Sequence, residues 1–436
     1  MYATTTATTN PCSLSVSQVS DPRPLFPSMR SRTTTSSTVL AASVPHKSTQ
    51  PPATTYAHLP TELLLEVLDY IPHDSTSQPT LWAFCLVNHQ WYNTAIRRLY
   101  ERPHLYGKNY DFFVRTVCPS VNLHVKKSDL AGLVRVLDLR SIVHQSSKSM
   151  TARLLGRTKT SLEAFVAPQA SFAVNCFAAL SKCENLQTLD LSLISEAISI
   201  SALANALQRL PRLKVLYFPR SSNDSNTAKG PTSWPPLEEL HLSGPLERAF
   251  FEQLAGHAPG ETSLPPTLIN LSIEHCARVP LVSVRKLLEG VGPQLQRLRL
   301  VSNRCMDEWQ MNIVLSFCPN LKSLEISHDY VTSRFGDISR WSLASHPLER
   351  LDLLRFSTDH ASDFASGELR PEHLTEALDN NYFPNLRIVR VSKEAEWHSE
   401  KVDEVQELQE ALELNYMTNH DTESLDKAVG VWTIND

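Results

Sequence analysis

A short apolar pattern repeats along most of this chain. Leu-x-x-Leu-x-Leu, with conservative replacements, begins at Val134, Leu162, Leu186, Leu213, Leu237, Leu268, Leu295, Leu321, Leu348 and Leu386. Apolar side chains at its fourth and sixth positions predict a short strand with one face turned inward. Between these starts, apolar residues recur at three- and four-residue spacing. That predicts helices over Ala173–Leu180, Ile200–Leu210, Phe250–Ala255, Val282–Val291, Trp309–Phe317 and Pro371–Leu378. Each helix closes at a Pro, Gly or Cys-Pro stop; Pro319 cannot continue its helix, and Leu321 opens the next strand. Upstream lies a denser apolar block. Leu64, Val67, Leu68 and Ile71 fall at i, i+3, i+4 and i+7, and Leu63 and Leu65 widen that face. Pro60 sits where a first helical turn tolerates a missing N–H. A helix this apolar packs on more than one side. After the polar stretch Pro72–Pro79, Leu86, Val87 and Trp91 follow at helical spacing, then Ala95, Leu99 and Tyr100.

Seven of the nine steps between strand starts measure 24 to 28 residues. The other two, 31 and 38, imply inserted loops around Ala258–Pro266 and Ser357–Pro371. This period matches leucine-rich repeats. One such unit cannot bury its apolar face, but stacked units bury a continuous core. The expected fold class is therefore α/β, a horseshoe solenoid with a parallel sheet inside and helices outside. The repeats resemble the degenerate leucine-rich repeats that follow F-boxes in many substrate receptors. That family often places Asn or Cys eight residues after the first Leu, where the side chain bonds backbone groups inside the turn. Cys276 and Asn303 stand there, whereas Ile194, Pro245, Asp329 and Phe356 fill the equivalent places elsewhere. Uneven curvature is expected.

The upstream block resembles an F-box, the helical module that docks a protein onto the Skp-type adaptor of cullin–RING ubiquitin ligases. The resemblance rests on Leu59-Pro60, Glu62 within Leu-Pro-x-Glu, the Leu63–Ile71 helix, and Val87-x-x-x-Trp91 with Ala95. It covers residues 57–103. The Pro72–Pro79 stretch is longer and more polar than the family's usual link. What the resemblance implies is a non-catalytic substrate-recognition subunit of an SCF-type ligase. Its partners would be a Skp-type adaptor, a cullin reached through it, and a protein substrate. The alternative is a leucine-rich-repeat scaffold, adaptor-bound or free, with no ligase role. The adaptor contact would be an apolar helix-in-groove interface. The residues expected there are Leu59, Pro60, Leu63, Leu64, Val67, Leu68 and Ile71, with Leu86, Val87 and Trp91. Some of these must form the module's own core, and periodicity does not separate the two roles.

Composition bounds the rest. The chain has 436 residues and a formal net charge of −5, so no polybasic footprint points to nucleic acid. No apolar run approaches the length of a membrane helix. Eight cysteines occur without a C-x-x-C pair, which argues against zinc and against a disulfide framework. Cys176, Cys183, Cys276, Cys305 and Cys318 are expected as small core residues in a reducing compartment, cytoplasmic or nuclear. No nucleophile elbow, phosphate loop or H-E-x-x-H helix is present, so neither catalysis nor a cofactor is expected. Residues 1–56, rich in Ser, Thr and Pro, read as a disordered tail. A linking segment over 104–129 precedes repeats over 130–395. Residues 396–436 read as an acidic helix and tail. From Lys393 onward twelve Asp or Glu face three Lys. Val402, Val405, Leu408 and Leu412 share one face, as a capping helix would need.

In each strand the third, fifth and seventh positions point away from the core. They project Asp138, Arg140, Asp190, Tyr217, Glu239, His241, Glu274, Arg297, Arg299, Glu325, Arg350, Asp352 and Arg390. The central eight, Glu239, His241, Glu274, Arg297, Arg299, Glu325, Arg350 and Asp352, are the expected substrate contacts. Arg297, Arg299 and Arg350 come nearest to a basic cluster, which could read an acidic or phosphorylated segment.

Overall fold

The structure is a computed structural model. It describes residues 59–119, 128–142, 148–220, 233–256, 260–303, 311–341, 343–355, 367–419 and 428–434. The 1–56 tail, Cys305 and Phe356 lie outside the described residues, as do parts of both expected loop insertions.

Four helices come first: α1 (Thr61–Asp69), α2 (Gln78–Cys85), α3 (His89–Glu101) and α4 (Gly107–Val117). Eleven strands then form one parallel sheet in strict sequence order. They are β1 (Val136–Asp138), β2 (Ala164–Val166), β3 (Thr188–Asp190), β4 (Val215–Tyr217), β5 (Glu239–Ser243), β6 (Asn270–Glu274), β7 (Arg297–Val301), β8 (Ser323–Ser327), β9 (Arg350–Leu354), β10 (Ile388–Ser392) and β11 (Gly430–Ile434). The first ten begin two residues after a predicted pattern start. All ten opening residues, Val134 through Leu386, are fully buried, as are nearly all fourth-position side chains. Each unit thus hands its inward leucines to its neighbours, which is the packing that a solenoid requires.

The outer layer holds α6 (Val174–Leu180), α7 (Ile200–Leu207), α8 (Arg248–Leu254), α9 (Leu281–Val291), α10 (Val314–Phe317) and α11 (Pro371–Asp379). These correspond to the six predicted helices. α10 is a single turn, and part of its expected span lies outside the described residues. Another helix, α5 (Lys148–Thr158), was not predicted. Its buried face includes Thr151 and Thr158, so apolar spacing alone does not reveal it. Thr158 satisfies its hydroxyl by donating to the Leu154 carbonyl at 3.0 Å.

At the turns, Asn303 plays the role expected of it. Fully buried, it accepts from the Cys276 N–H at 2.9 Å and donates to the Ile273 carbonyl at 2.9 Å. One repeat later, position 329 is an exposed Asp, and the adjacent Tyr330 takes over. Its hydroxyl accepts from the Asn303 N–H at 2.6 Å and donates to the Asn303 carbonyl at 3.0 Å. Cys176, Cys183, Cys276 and Cys318 are buried free thiols. Burial pushes the last three up to about 12.

The C-terminal end differs from the expected helix and tail. After α12 (Trp397–Glu400) and α13 (Val402–Asn419) the chain returns to the sheet as β11, parallel to β10. The buried face of α13 is Leu408, Leu412, Asn415 and Tyr416, whereas Val402 is exposed. Gly430 at the start of β11 has φ +147°, and a Cβ there would lie 2.5 Å from the Gln409 side chain of α13. That same side chain accepts from the Val431 N–H at 2.9 Å.

Candidate functional site

Two surfaces stand out, one on the N-terminal helices and one on the inner face of the sheet. On α1, Leu64 and Leu68 are buried. Leu59, Leu63, Leu65, Val67 and Tyr70 are exposed. The helical wheel explains the split. Leu64, Leu68 and Ile71 point into the module, and Leu63, Val67 and Tyr70 form a stripe along one flank. Leu65 lies on the other flank, in a groove with Thr61 of α1 and Gln90, Asn93, Thr94 and Arg97 of α3. Two polar clamps hold α1 on α3. Gln90 donates to the Leu59 carbonyl at 2.8 Å. Arg98 donates to Asp69 at 2.8 Å and to the Ile71 carbonyl at 2.6 Å.

The second apolar segment does not form one helix, as its spacing suggested. α2 ends at Cys85, and α3 begins after Asn88, whose side chain accepts from the Trp91 N–H at 3.0 Å. Leu86 and Val87 therefore sit on the turn between helices, both 59% exposed. Because the Gln90 clamp grips the start of α1, this turn lies at the same end as Leu59. Trp91 turns inward, half-buried, against Phe84 with ring centroids 4.6 Å apart. Part of the long polar link is also ordered. Asp74 accepts from the Thr76 and Ser77 N–H groups, both at 3.0 Å, and so starts a 3-10 turn that runs directly into α2. Hydrogen bonds from the Thr76 and Ser77 side chains help to hold the Asp74 carboxyl below its usual value.

The second surface is a groove of about 620 Å³ on the concave face. Seven of the eight predicted contacts line it: Glu239, His241, Arg297, Arg299, Glu325, Arg350 and Asp352. Glu274 is set beside it, ion-paired with Arg299 at 3.1 Å. Register explains the gathering. Along the fifth positions, Tyr217, His241, Ser272, Arg299, Glu325, Asp352 and Arg390 are successive neighbours across six strand pairs. Tyr217 and His241 stack at 4.0 Å with their rings 7° apart. His241 also meets Glu239 at 2.5 Å, and this hydrogen bond holds the Glu239 carboxyl below its usual value.

The basic cluster expected from Arg297, Arg299 and Arg350 does not exist as free charge. Arg299 pairs with both Glu274 and Glu325. Arg350 pairs with Asp352 at 2.7 Å, and Arg390 pairs with the same carboxylate at 2.6 Å. Asp352 is not an exposed contact as predicted, because these two guanidiniums cover it and leave it 1% accessible.

Comparison with known proteins bears on the N-terminal module. No family model matches the chain. The F-box protein YDR306C of Saccharomyces cerevisiae is 30% identical over 339 residues, which cover 76% of this chain and 66% of that protein. The chain belongs to the F-box proteins. Protein pof5 of Schizosaccharomyces pombe is 27% identical over 327 residues, 74% of this chain and 86% of its own length. The chain thus spans about two thirds of the first relative's length, at 66%, and more of the second. The structure of human 5T4, trophoblast glycoprotein, overlaps 48% of this chain and 70% of its own at 23% identity, with a TM-score of 0.32. At that score the overlap carries no weight beside the strand register.

Within the F-box, the structure corrects two expected adaptor contacts. Leu64 and Leu68 are core, at 0% and 2% exposure. Ile71 is half-buried against the core, and Trp91 is half-buried against Phe84. Leu59, Pro60, Leu63, Val67, Leu86 and Val87 remain available on the surface. Leu65 and Tyr70 join them, although neither was predicted as a contact. The signal for Leu65 was present in the widened apolar face; Tyr70, 89% exposed, offered none beyond its type.

Proposed function

We propose that this F-box protein is the substrate-recognition subunit of an SCF-type cullin–RING ubiquitin ligase. The F-box seats on a Skp-type adaptor, and through it on a cullin. The repeats hold a protein substrate on their concave face. The observation that carries this reading is the apolar surface left by α1 and the α2–α3 turn. Among the described residues, Leu59, Leu63, Leu65, Val67, Leu86 and Val87 stand together at 41–59% exposure in one small module, whereas the other exposed apolar side chains, such as Val174, Val282 and Leu414, are spread over separate helices of the repeats. Exposed apolar surface gathered in this way marks a binding site.

Fully burying a large apolar side chain is worth about 1.5–3 kcal/mol. These six are already partly covered, so sealing them contributes on the order of 6 kcal/mol gross, before association costs. The receptor performs no covalent step in this reading. It raises the effective concentration of substrate lysines near the charged conjugating enzyme.

Co-expression of residues 1–436 with a Skp-type adaptor, followed by affinity capture, tests the reading. The parent is expected to recover adaptor and cullin. A Leu63→Asp, Val67→Asp double variant, altered only on the exposed stripe, is expected to lose both while keeping the thermal melt of its repeats. Soluble parent protein that captures no adaptor would leave the chain a repeat scaffold.

A further inference from the structure

We propose that the concave groove captures an extended protein segment through one carboxylate side chain seated on Arg297. The inference rests on the concave reading given above and names the chemistry recognised there. Most charge in the groove is already satisfied. Arg299 lies between Glu274 and Glu325, and Arg350 and Arg390 close on Asp352. Lys322 and Arg387 both reach Glu349, at 3.9 and 3.7 Å.

Arg297 is different. It is exposed on β7 with Asn270 and Ser323 as its register neighbours. Among the described residues it has no carboxylate within ion-pair distance. The nearby Glu239 is engaged by His241 at 2.5 Å and by Asn270 at 3.4 Å. The charge of Arg297 helps to hold that carboxyl low, but only at longer range than an ion pair. A guanidinium facing an open groove with no carboxylate in ion-pair contact among the described residues is a fork for one carboxylate, which it can bind through two parallel N–H bonds.

A phosphate group fits this groove less well. It carries about −1.5 to −2 charges and calls for more than one free cation. Here the second cation would have to be taken from Glu325, Asp352 or Glu349. The groove also lies open across several parallel strands, which suits an extended segment.

A phage-displayed library of random dodecapeptides, selected on the full chain, tests this. Peptides captured by the parent are expected to be enriched in a single Asp or Glu. Arg297→Ala is expected to weaken them roughly ten-fold or more. Arg297→Glu is expected to select Lys or Arg at the same place, a gain that misfolding does not produce. Ser323→Trp, which fills the groove beside Arg297, should abolish capture whatever the peptide's charge.

If Ser323→Trp abolishes capture but Arg297→Ala does not weaken it, the carboxylate proposal falls and the concave reading stands. If captured peptides bind Ser323→Trp as well as the parent, or if none is captured, both fall. Replacing the selected acid by phosphoserine is expected to bring no gain; a ten-fold tighter complex would overturn the single-carboxylate chemistry.

Discussion

Asp352 is an acid held at 1% accessibility on the concave face, between two guanidiniums. Strand alternation places it on the concave face beside Arg350, two residues earlier in β9, and register brings Arg390 of β10 over it. Burial pushes its carboxyl up to about 6, and the hydrogen bond and charge of Arg350 offset only part of that. In an unfolded chain an Asp ionises near pH ~4. Between about pH 4 and 6, then, the folded protein keeps a proton that the unfolded chain has released. The stability tied to this group is present in full below about pH 4 and is lost as pH rises through 6. Asp352→Asn is neutral throughout and escapes that loss. Its melting temperature relative to the parent is expected to rise steadily from about pH 4 to 7. A variant that instead falls behind as pH rises would show that the arginines outweigh the desolvation. The role of Asn303 was legible from its position in the repeat, whereas the arginine cover of Asp352 was not, because it depends on partners from two strands. Asn303→Ala would leave the buried Cys276 N–H unpaired, at about 1–3 kcal/mol, and take one of two donors from the Ile273 carbonyl. A clear drop in the denaturant midpoint with an unchanged slope is the expected result.

At the level of elements, the first ten strands were legible because a solenoid repeats one packing problem. Every inward position needs a leucine-sized side chain, so the pattern prints itself at each turn. β11 escaped because, unlike β1 at the other edge, it does not carry the Leu-x-x-Leu-x-Leu pattern. It has one strand neighbour, and Gly430-Val431-Trp432 need not match a following repeat. Ending the chain at Asn419 would expose the backbone of β10. Faster amide exchange in β10 and concentration-dependent self-association by light scattering are expected. Unchanged exchange would mean that β11 is not the cap. In the F-box, periodicity found α1 but not its inner face, because a helix that packs inward and also docks outward is apolar on both counts. The α2–α3 break was hidden for a related reason: Leu86 and Val87 continue a helical spacing that the Asn88 cap interrupts. The two leucine sites separate cleanly by experiment. Leu64→Ala is expected to cost about 2–5 kcal/mol in stability. Leu63→Ala should leave the melt nearly unchanged and weaken adaptor capture instead. Equal effects on both readouts would place Leu63 in the core.

Across the whole molecule, one backbone ladder joins the F-box to the far end of the sheet. The Glu101 carbonyl, the last of α3, accepts from the Arg135 N–H at 3.0 Å. Arg135 then accepts from Glu163, and the relay continues through Gln187, Lys214, Glu238, Ile269, Gln296, Lys322, Glu349 and Arg387 to the Gly430 N–H at 2.8 Å. Side chains reinforce it near both ends, where Arg135 pairs with Glu163 and where Lys322 and Arg387 meet Glu349. Beneath it, a single apolar core runs from Leu68 in α1 through Tyr100, Phe113 and Leu137 to Leu412 in α13. The F-box is therefore packed as the opening unit of the solenoid. Whatever seats on α1 is held at a fixed distance and angle from whatever seats on Arg297. If the proposed positioning role holds, that rigidity is what the receptor contributes, because effective concentration falls once a joint allows the ends to wander. A flexible Gly/Ser insertion of about ten residues between Arg102 and Pro103 should keep adaptor capture and peptide binding at parental levels, with the repeats still melting as before. Ubiquitin transfer to a captured peptide bearing a lysine is expected to slow in the reconstituted ligase. Undiminished transfer would mean that the register between F-box and groove carries no function, and that the continuous ladder serves stability alone.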